Sequence, residues 1–314
     1  MAGYLGIHAQ ISRNNRLTVI YLLAFPLLIL GTVYALLFFV VEDDDGNPLS
    51  IQQLNESFVL VVPYLLAIVA IWFIIAYISH SRLIDSATGA KPLERKENMR
   101  VYNLAENLCM LQGMPMPKIH IIEDTALNAF ASGLSEKNYT VTLSRGIIDN
   151  LNDDELQAVI AHELMHIRNR DVRLLVITIV FVGIFSFAAQ MMFRSMLLGS
   201  GGGGKKGSRN GIIVMFILTL AFLLAILFKL GLSRKREFAA DAGAADITKN
   251  PNALASALRK ISANHQIKTV KSADIKEMFI YDQPDSSLGI MKALAGLFST
   301  HPPIEKRISV LEQF

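Results

Sequence analysis

Four long apolar runs punctuate the chain, and between them apolar and polar positions either alternate or recur at helical spacing. The runs cover residues 17–41, 58–78, 174–193 and 212–228, and a helix needs ~20 apolar residues to cross a bilayer. Pro26 lies inside the first run. It is tolerable in a membrane helix, where neighbouring groups re-satisfy the freed carbonyl. That run is far longer than the ~7–15-residue core of a cleavable signal peptide, which predicts a retained anchor. The fourth run is marginal alone. Gln190 in the third, and Arg194 just beyond it, leave a buried soluble hairpin as the competing reading for the last two.

The hydrophilic stretches carry shorter elements. Helical periodicity over 98–111 ends near Gly113, and Met114-Pro115-Met116-Pro117 stops any continuation. Residues 118–122 and 139–143 alternate like strands, and 127–133 alternates with small residues on one side. Asn152 followed by Glu155 predicts a capping box opening the next helix. Further helices are predicted from about residue 233, after Pro251, and after His301-Pro302-Pro303. The predicted fold is mainly α with a small β-sheet (α+β), a four-helix transmembrane region beside a hydrophilic domain. The predicted order is a tail (1–16), a first hairpin (17–78), a hydrophilic segment (79–173), a second hairpin (174–228) and a second hydrophilic segment (229–314).

Composition agrees with a membrane protein: 52% of residues are hydrophobic, 18% are charged, and the mean hydropathy is +0.39. A net charge of +3 is too small to argue for nucleic acid. The lone cysteine, Cys109, excludes an intrachain disulfide and a cysteine zinc knuckle, and reads as a buried, inert thiol. The placement of charge is more informative than its sum. Arg13 and Arg16 precede the first run, whereas the loop at 42–57 has no basic residue and opens Glu42-Asp43-Asp44-Asp45. Arg82, Lys91, Arg95, Lys96 and Arg100 follow the second run. The positive-inside rule then puts both termini and the hydrophilic segments in the cytoplasm. The loop at 199–210, with Lys205, Lys206 and Arg209, runs against that bias, but the earlier segments and Arg234-Lys235-Arg236 outweigh it. Its glycine run reads as a flexible linker and not as a phosphate loop.

Chemistry enters with His162-Glu163-Leu164-Met165-His166. Histidines four apart on a helix share a face and can share a metal, while a glutamate one position round reaches a metal-bound water without displacing it. Zinc makes such a water acidic, and the carboxylate takes its proton during attack on a carbonyl. The competing reading is an amphipathic surface helix with two incidental histidines. A catalytic zinc wants a third protein ligand. Val172 stands where the longer metzincin motif would place a histidine, which leaves His265, His301, Asp171 and Glu237. Glu237 stands out in Glu237-Phe238-Ala239-Ala240-Asp241, where Asp241 on the same face could orient a histidine ligand. An ordinary surface pairing with Arg234 or Lys235 is the alternative.

Taken in order, these stretches resemble the HtpX family of bacterial membrane zinc metalloproteases, which is related to the eukaryotic CAAX prenyl protease. The resemblance rests on His162–His166 followed by Arg168-Asn169-Arg170-Asp171, a hydrophobic hairpin, and Ser233-Arg234-Lys235-Arg236-Glu237-Phe238-Ala239-Ala240-Asp241. Asn128-Ala129-Phe130-Ala131-Ser132-Gly133 and His301-Pro302-Pro303-Ile304-Glu305-Lys306-Arg307 match two further stretches of that family. The resemblance implies one zinc ion bound by His162, His166 and Glu237, with Glu163 as the catalytic base. It also implies a gluzincin-like cytoplasmic domain in the bacterial inner membrane, and a stress-response role in membrane-protein quality control. Two ligands precede the second hairpin and one follows it, so an even number of crossings must separate them.

Other roles are less defined. The strand at 127–133, with Asn128, Ala129 and Phe130, could take an extended substrate by β-addition, or be a plain sheet strand. His301 or Arg307 could stabilise the developing oxyanion, or His301-Pro302-Pro303 could only end one segment and start a helix. Asp171 reads as an anchor for the end of the zinc helix. The expected partners are polypeptide substrates, membrane proteins among them, and the lipid bilayer, with no nucleic acid; the oligomeric state is left open. The charged residues around the motif argue against a zinc buried in hydrocarbon. A non-catalytic zinc-binding scaffold and a CAAX-type processing protease are the alternative functions.

Overall fold

The computed structural model describes residues 7–198, 205–230, 234–264, 267, 278–280 and 302–314. The chain divides into two compact units, one of Met1–Arg16, Ser79–Val176 and Leu232–Phe314, the other of Leu17–Ile78 and Ile177–Gly231.

The second unit is built from α1 (Ile7–Val40), α2 (Ile51–Thr88), α6 (Asp171–Leu198) and α7 (Lys205–Leu230), the first three of which also extend into the other unit. All four are long and apolar enough to cross a membrane. Both α1 and α2 begin before the predicted apolar runs, and α2 continues ten residues past its run, from Ile78 to Thr88. Helix termini need polar partners that only the flanking hydrophilic turns offer, so the helices outgrow the apolar stretches. Pro26 and Pro63 both lie within helices. Aromatic packing holds the interior: Phe25 stacks on Phe181 at 4.7 Å and meets Phe228 at 5.4 Å, and the Tyr21 hydroxyl donates to the Phe228 carbonyl at 2.6 Å.

The first unit combines a four-stranded sheet with helices. Its strands are β1 (Lys91–Pro92), β2 (Lys118–Ile122), β3 (Ala129–Ser132) and β4 (Thr140–Ser144), in spatial order β1-β2-β4-β3. Only β2 and β4 run parallel, with Ile119 opposite Val141; β3 lies antiparallel to β4 as an edge strand, with Ala131 opposite Val141. The helices are α3 (Met99–Gln112), α4 (Arg145–Asn150), α5 (Asp153–Asn169), α8 (Lys235–Thr248), α9 (Pro251–Ala263) and α10 (Ile304–Leu311).

Local chemistry sets the ends of the central helix, α5. The Asn152 side chain accepts from Glu155 N while Glu155 reaches back to Asn152 N, completing the capping box. At the other end Arg170 takes a left-handed φ of 60° and breaks the chain between α5 and α6. Helix α5 packs against α3, α8, α9 and β3. Leu156, Ile160 and Leu164 are wholly buried along it, which fixes its rotation and therefore where its polar residues point.

Candidate metal centre

The rotation of α5 turns His162, Glu163 and His166 inward toward α8, and all of His162 and Glu163 is buried. Helix α8 can lie this close because its facing residues are small: Ala240, Gly243 and Ala244 are buried. A Cβ on Gly243 would fall 2.4 Å from Met165 Sδ, so a methyl group there would require the Met165 side chain to shift. The approach brings Glu237, in the first turn of α8, up to both histidines.

Three ligand atoms then converge. His162 Nε2 and His166 Nε2 are 3.0 Å apart, and Glu237 oxygens lie 3.7 Å from each. Around a tetrahedral zinc with bonds of about 2.0–2.1 Å, neighbouring ligand atoms are separated by about 3.3 Å. The triangle formed here brackets that spacing, so these residues fit one small divalent cation. Among the described residues, they are the group of histidine and carboxylate side chains disposed to hold a metal.

Behind the ligands stands a layer of charge. Asp241 Oδ1 lies 3.0 Å from His162 Nδ1, and Asp171 Oδ2 lies 3.0 Å from His166 Nδ1. Each carboxylate favours a proton on Nδ1, which leaves Nε2 as the lone-pair donor toward the centre. Arg307, 1% exposed, donates from Nε to Asp241 Oδ2 at 2.9 Å, from Nη2 to Asp241 Oδ1 at 2.7 Å and from Nη1 to the Ile280 carbonyl at 2.9 Å. The fork geometry of a guanidinium suits this bidentate grip. Arg307 therefore braces Asp241, and the same guanidinium also stands close to the ligand atoms, with Nη2 3.3 Å from His162 Nε2 and Nη1 3.4 Å from Glu237 Oε2.

Electrostatics point to a site that prefers positive charge. Burial opposes charge on His166, but Asp171, Glu237 and Glu163 prevail and push its pKa up to about 9. Burial pulls His162 the other way, down to about 4, against Asp241, so it stays neutral and available as a ligand. Burial also raises Glu163 to about 7, helped by the nearby Glu237 carboxylate. One Glu163 oxygen is buried without a hydrogen-bond donor, and the carboxylate is reached by the Ala131 N–H. A divalent cation supplies in place of a proton the charge these carboxylates call for.

The remaining sequence-predicted residues fall as follows. Phe130 is buried against Phe279, ring centroids 5.4 Å apart. The Ala129 carbonyl accepts from Ile280 N at 2.8 Å, while Asn128 N and O pair with Ser144 Oγ and N. His265 and His301 lie outside the described residues. Sequence reasoning missed Ile280, which touches both β3 and Arg307, and Arg236. Arg236 lines a cavity together with Glu163, His166, Glu237, Ala131 and Phe279. The signal for Arg236 was present, since it directly precedes Glu237, but basic clusters next to apolar runs read first as topology markers.

The α5 histidine pair and the α8 glutamate form an arrangement suited to a metal-dependent hydrolase, in a chain with four helices able to cross a membrane, and comparison with known proteins narrows the class. Residues 95–314 match peptidase family M48. The chain is 52% identical over 320 residues to a "Protease HtpX homolog" of Bacteroides fragilis, covering 99% of each chain. It is 34% identical over 316 residues to a "Protease HtpX homolog" of Listeria monocytogenes, covering 96% of this chain and 98% of that one. The crystal structure of S. mikatae Ste24p aligns over 81% of this chain and 58% of its own, at 19% identity and a TM-score of 0.47. The chain belongs to peptidase family M48 and, within it, to the HtpX proteases. It is an integral membrane protein with a protease's partners, polypeptides and a lipid bilayer.

Proposed function

We propose that this protein is a zinc-dependent endopeptidase of the bacterial inner membrane that cleaves misfolded or damaged membrane proteins on the cytoplasmic side. The observation that carries the chemistry is the convergence of His162, His166 and Glu237 on one point, with the Glu163 carboxylate in the same cavity. His162, His166 and Glu237 would hold the zinc. When bound, zinc polarises the scissile carbonyl and makes a water acidic.

The chain's own residues do the rest. Glu163 accepts the proton of the attacking water and later returns it to the departing amine nitrogen. Asp171 and Asp241 hold the two imidazoles in the orientation that presents Nε2. Burial of the cluster keeps bulk water away from the developing charge. Edge strand β3 offers backbone groups to an extended substrate, which would take the Ala129 carbonyl over from Ile280. The absence of basic residues from 42–57, and their abundance at 79–100, supports a cytoplasmic active site and cytoplasmic termini.

The test is Glu163→Gln in the purified full chain. Zinc content should stay at one ion while cleavage of an unstructured polypeptide falls by ~10²–10⁴ or more. Undiminished cleavage would remove Glu163 from the mechanism. Orientation is tested separately with Asp44→Cys, which an impermeant maleimide should label from the periplasmic side of intact cells.

A further inference from the structure

Arg236 has no role in the scheme above, yet its position is costly. Its side chain is 10% exposed and lies in the first turn of α8, where the helix dipole disfavours a cation. Its Nε is fully buried and donates no hydrogen bond among the described residues, and Glu237 Oε1 stands 3.4 Å away, beyond a good charged hydrogen bond. Burying an arginine donor without an acceptor is unfavourable, so native proteins rarely do it without a functional reason. The cavity it lines, with Glu163, His166 and Glu237, has free space of about 20 Å³ for water centres, enough for a water. The other buried guanidinium near the centre, Arg307, is engaged with Asp241 and Ile280.

We propose that Arg236 is a catalytic residue, a donor held in reserve for the carbonyl oxygen of the scissile peptide as that oxygen becomes negative. The proposal rests on the proteolytic reading. In the step concerned, the water oxygen bonds to the carbonyl carbon, the C=O electron pair moves onto oxygen, and the water's proton passes to Glu163. The new oxyanion is the acceptor that Arg236 lacks beforehand. Collapse returns the electron pair, breaks the C–N bond, and sends the Glu163 proton to the amine. A donor unpaired in the ground state and paired in the transition state contributes to rate and not merely to binding.

The test compares Arg236→Met and Arg236→Lys with wild type as purified full chains, with zinc content measured for each. Expected for Arg236→Met is zinc retained, KM within about threefold, and kcat lower by about 10²–10³, the usual consequence of deleting an oxyanion donor. Added guanidinium ion should restore part of the rate. Affinity for a phosphinic peptide, whose tetrahedral anion resembles the adduct, should fall by a similar factor, while the matching amide peptide, measured in the Glu163→Gln background, binds almost unchanged. Arg236→Lys keeps the charge and guards against loss of fold, and should lie between the two. Loss of zinc would mean that Arg236 only positions Glu237. An effect on KM alone, or equal loss of both peptides, would make it a substrate-binding residue, and no effect would make it a surface charge. Each of these overturns the proposal. Failure of the proteolytic reading would show instead as cleavage that survives Glu163→Gln.

Discussion

The two units bury opposite things. In the unit of Leu17–Ile78 and Ile177–Gly231, Leu23, Val59, Leu60 and Ile78 are exposed by more than 60%, while aromatic rings fill the inside. In the unit containing α5 and α8, the inside holds His162, Glu163, Glu237, Asp241 and Arg307, each no more than 2% exposed. The first pattern suits a solvent of hydrocarbon, which neither rewards burial of leucine nor solvates a charge. The second is stable only as a set, because a buried charge is tolerable when paired and ruinous when alone. Apolar surface on one unit and charged interior in the other are thus two answers to the question of where charge can be kept.

Removing one member of the charged set should have the largest effect. Arg307→Met leaves Asp241 without its bidentate partner and should destabilise this unit by ~3–5 kcal/mol, read from urea unfolding in detergent. If Arg307→Met with Asp241→Leu is more stable than the single variant, pairing and not volume is at stake.

Next in size is the aromatic interior of the other unit. Phe25→Ala should cost less than the ~3–5 kcal/mol usual in water-soluble cores, because lipid leaves only the packing loss. Leu23→Ala, on the exposed side of the same helix, should be close to silent, whereas Leu23→Arg should impair insertion. Equal effects of the two alanine variants would refute the contrast between inside and outside.

The gap between α5 and α8 gives an intermediate effect. Gly243→Ala should cost ~1–3 kcal/mol through overpacking against Met165 and weaken zinc affinity. Met165→Ala in the same chain should restore both, as judged by zinc competition with a chelator.

Smaller effects belong to ion pairs away from the metal centre. Burial pushes the Glu155 carboxyl up, but Lys260, Ser256 and Asn152 N outweigh it and hold it below the usual carboxylate range. A depressed folded pKa contributes stability above the unfolded value near 4.5 and loses it as pH falls through the folded one. Glu155→Gln should therefore flatten the acid limb of the stability profile without altering stability at alkaline pH relative to its own neutral value. Smallest of all, Arg145→Ala breaks an exposed pair with Glu123 at 2.7 Å and should change stability by less than ~1 kcal/mol.

Much of this organisation was legible in the chain. Apolar runs, the 162–166 spacing, the capping box at Asn152 and the strands at 118–122 and 139–143 are local patterns with local causes, and local causes survive folding. Which group Arg307 engages had no such local cause. A motif reveals that an arginine is present, not which carboxylate engages its donors, and here Asp241 does so from α8. Arg236, read in the sequence as part of a basic cluster that marks topology, also lines the cavity.

By itself the sequence determined where apolar surface must be kept from water, which residues share a helical face, and that one helix carries two histidines and a glutamate suited to metal chemistry. Those are consequences of hydrophobicity and of 3.6 residues per turn. Only the tertiary structure decided how closely Glu237, 71 residues beyond His166, approaches the two histidines, and that Arg307 is gripped by Asp241 while Arg236 keeps a buried Nε without a hydrogen bond. The reason is that such choices turn on sub-ångström packing between helices far apart in the chain, set here by a glycine facing a methionine.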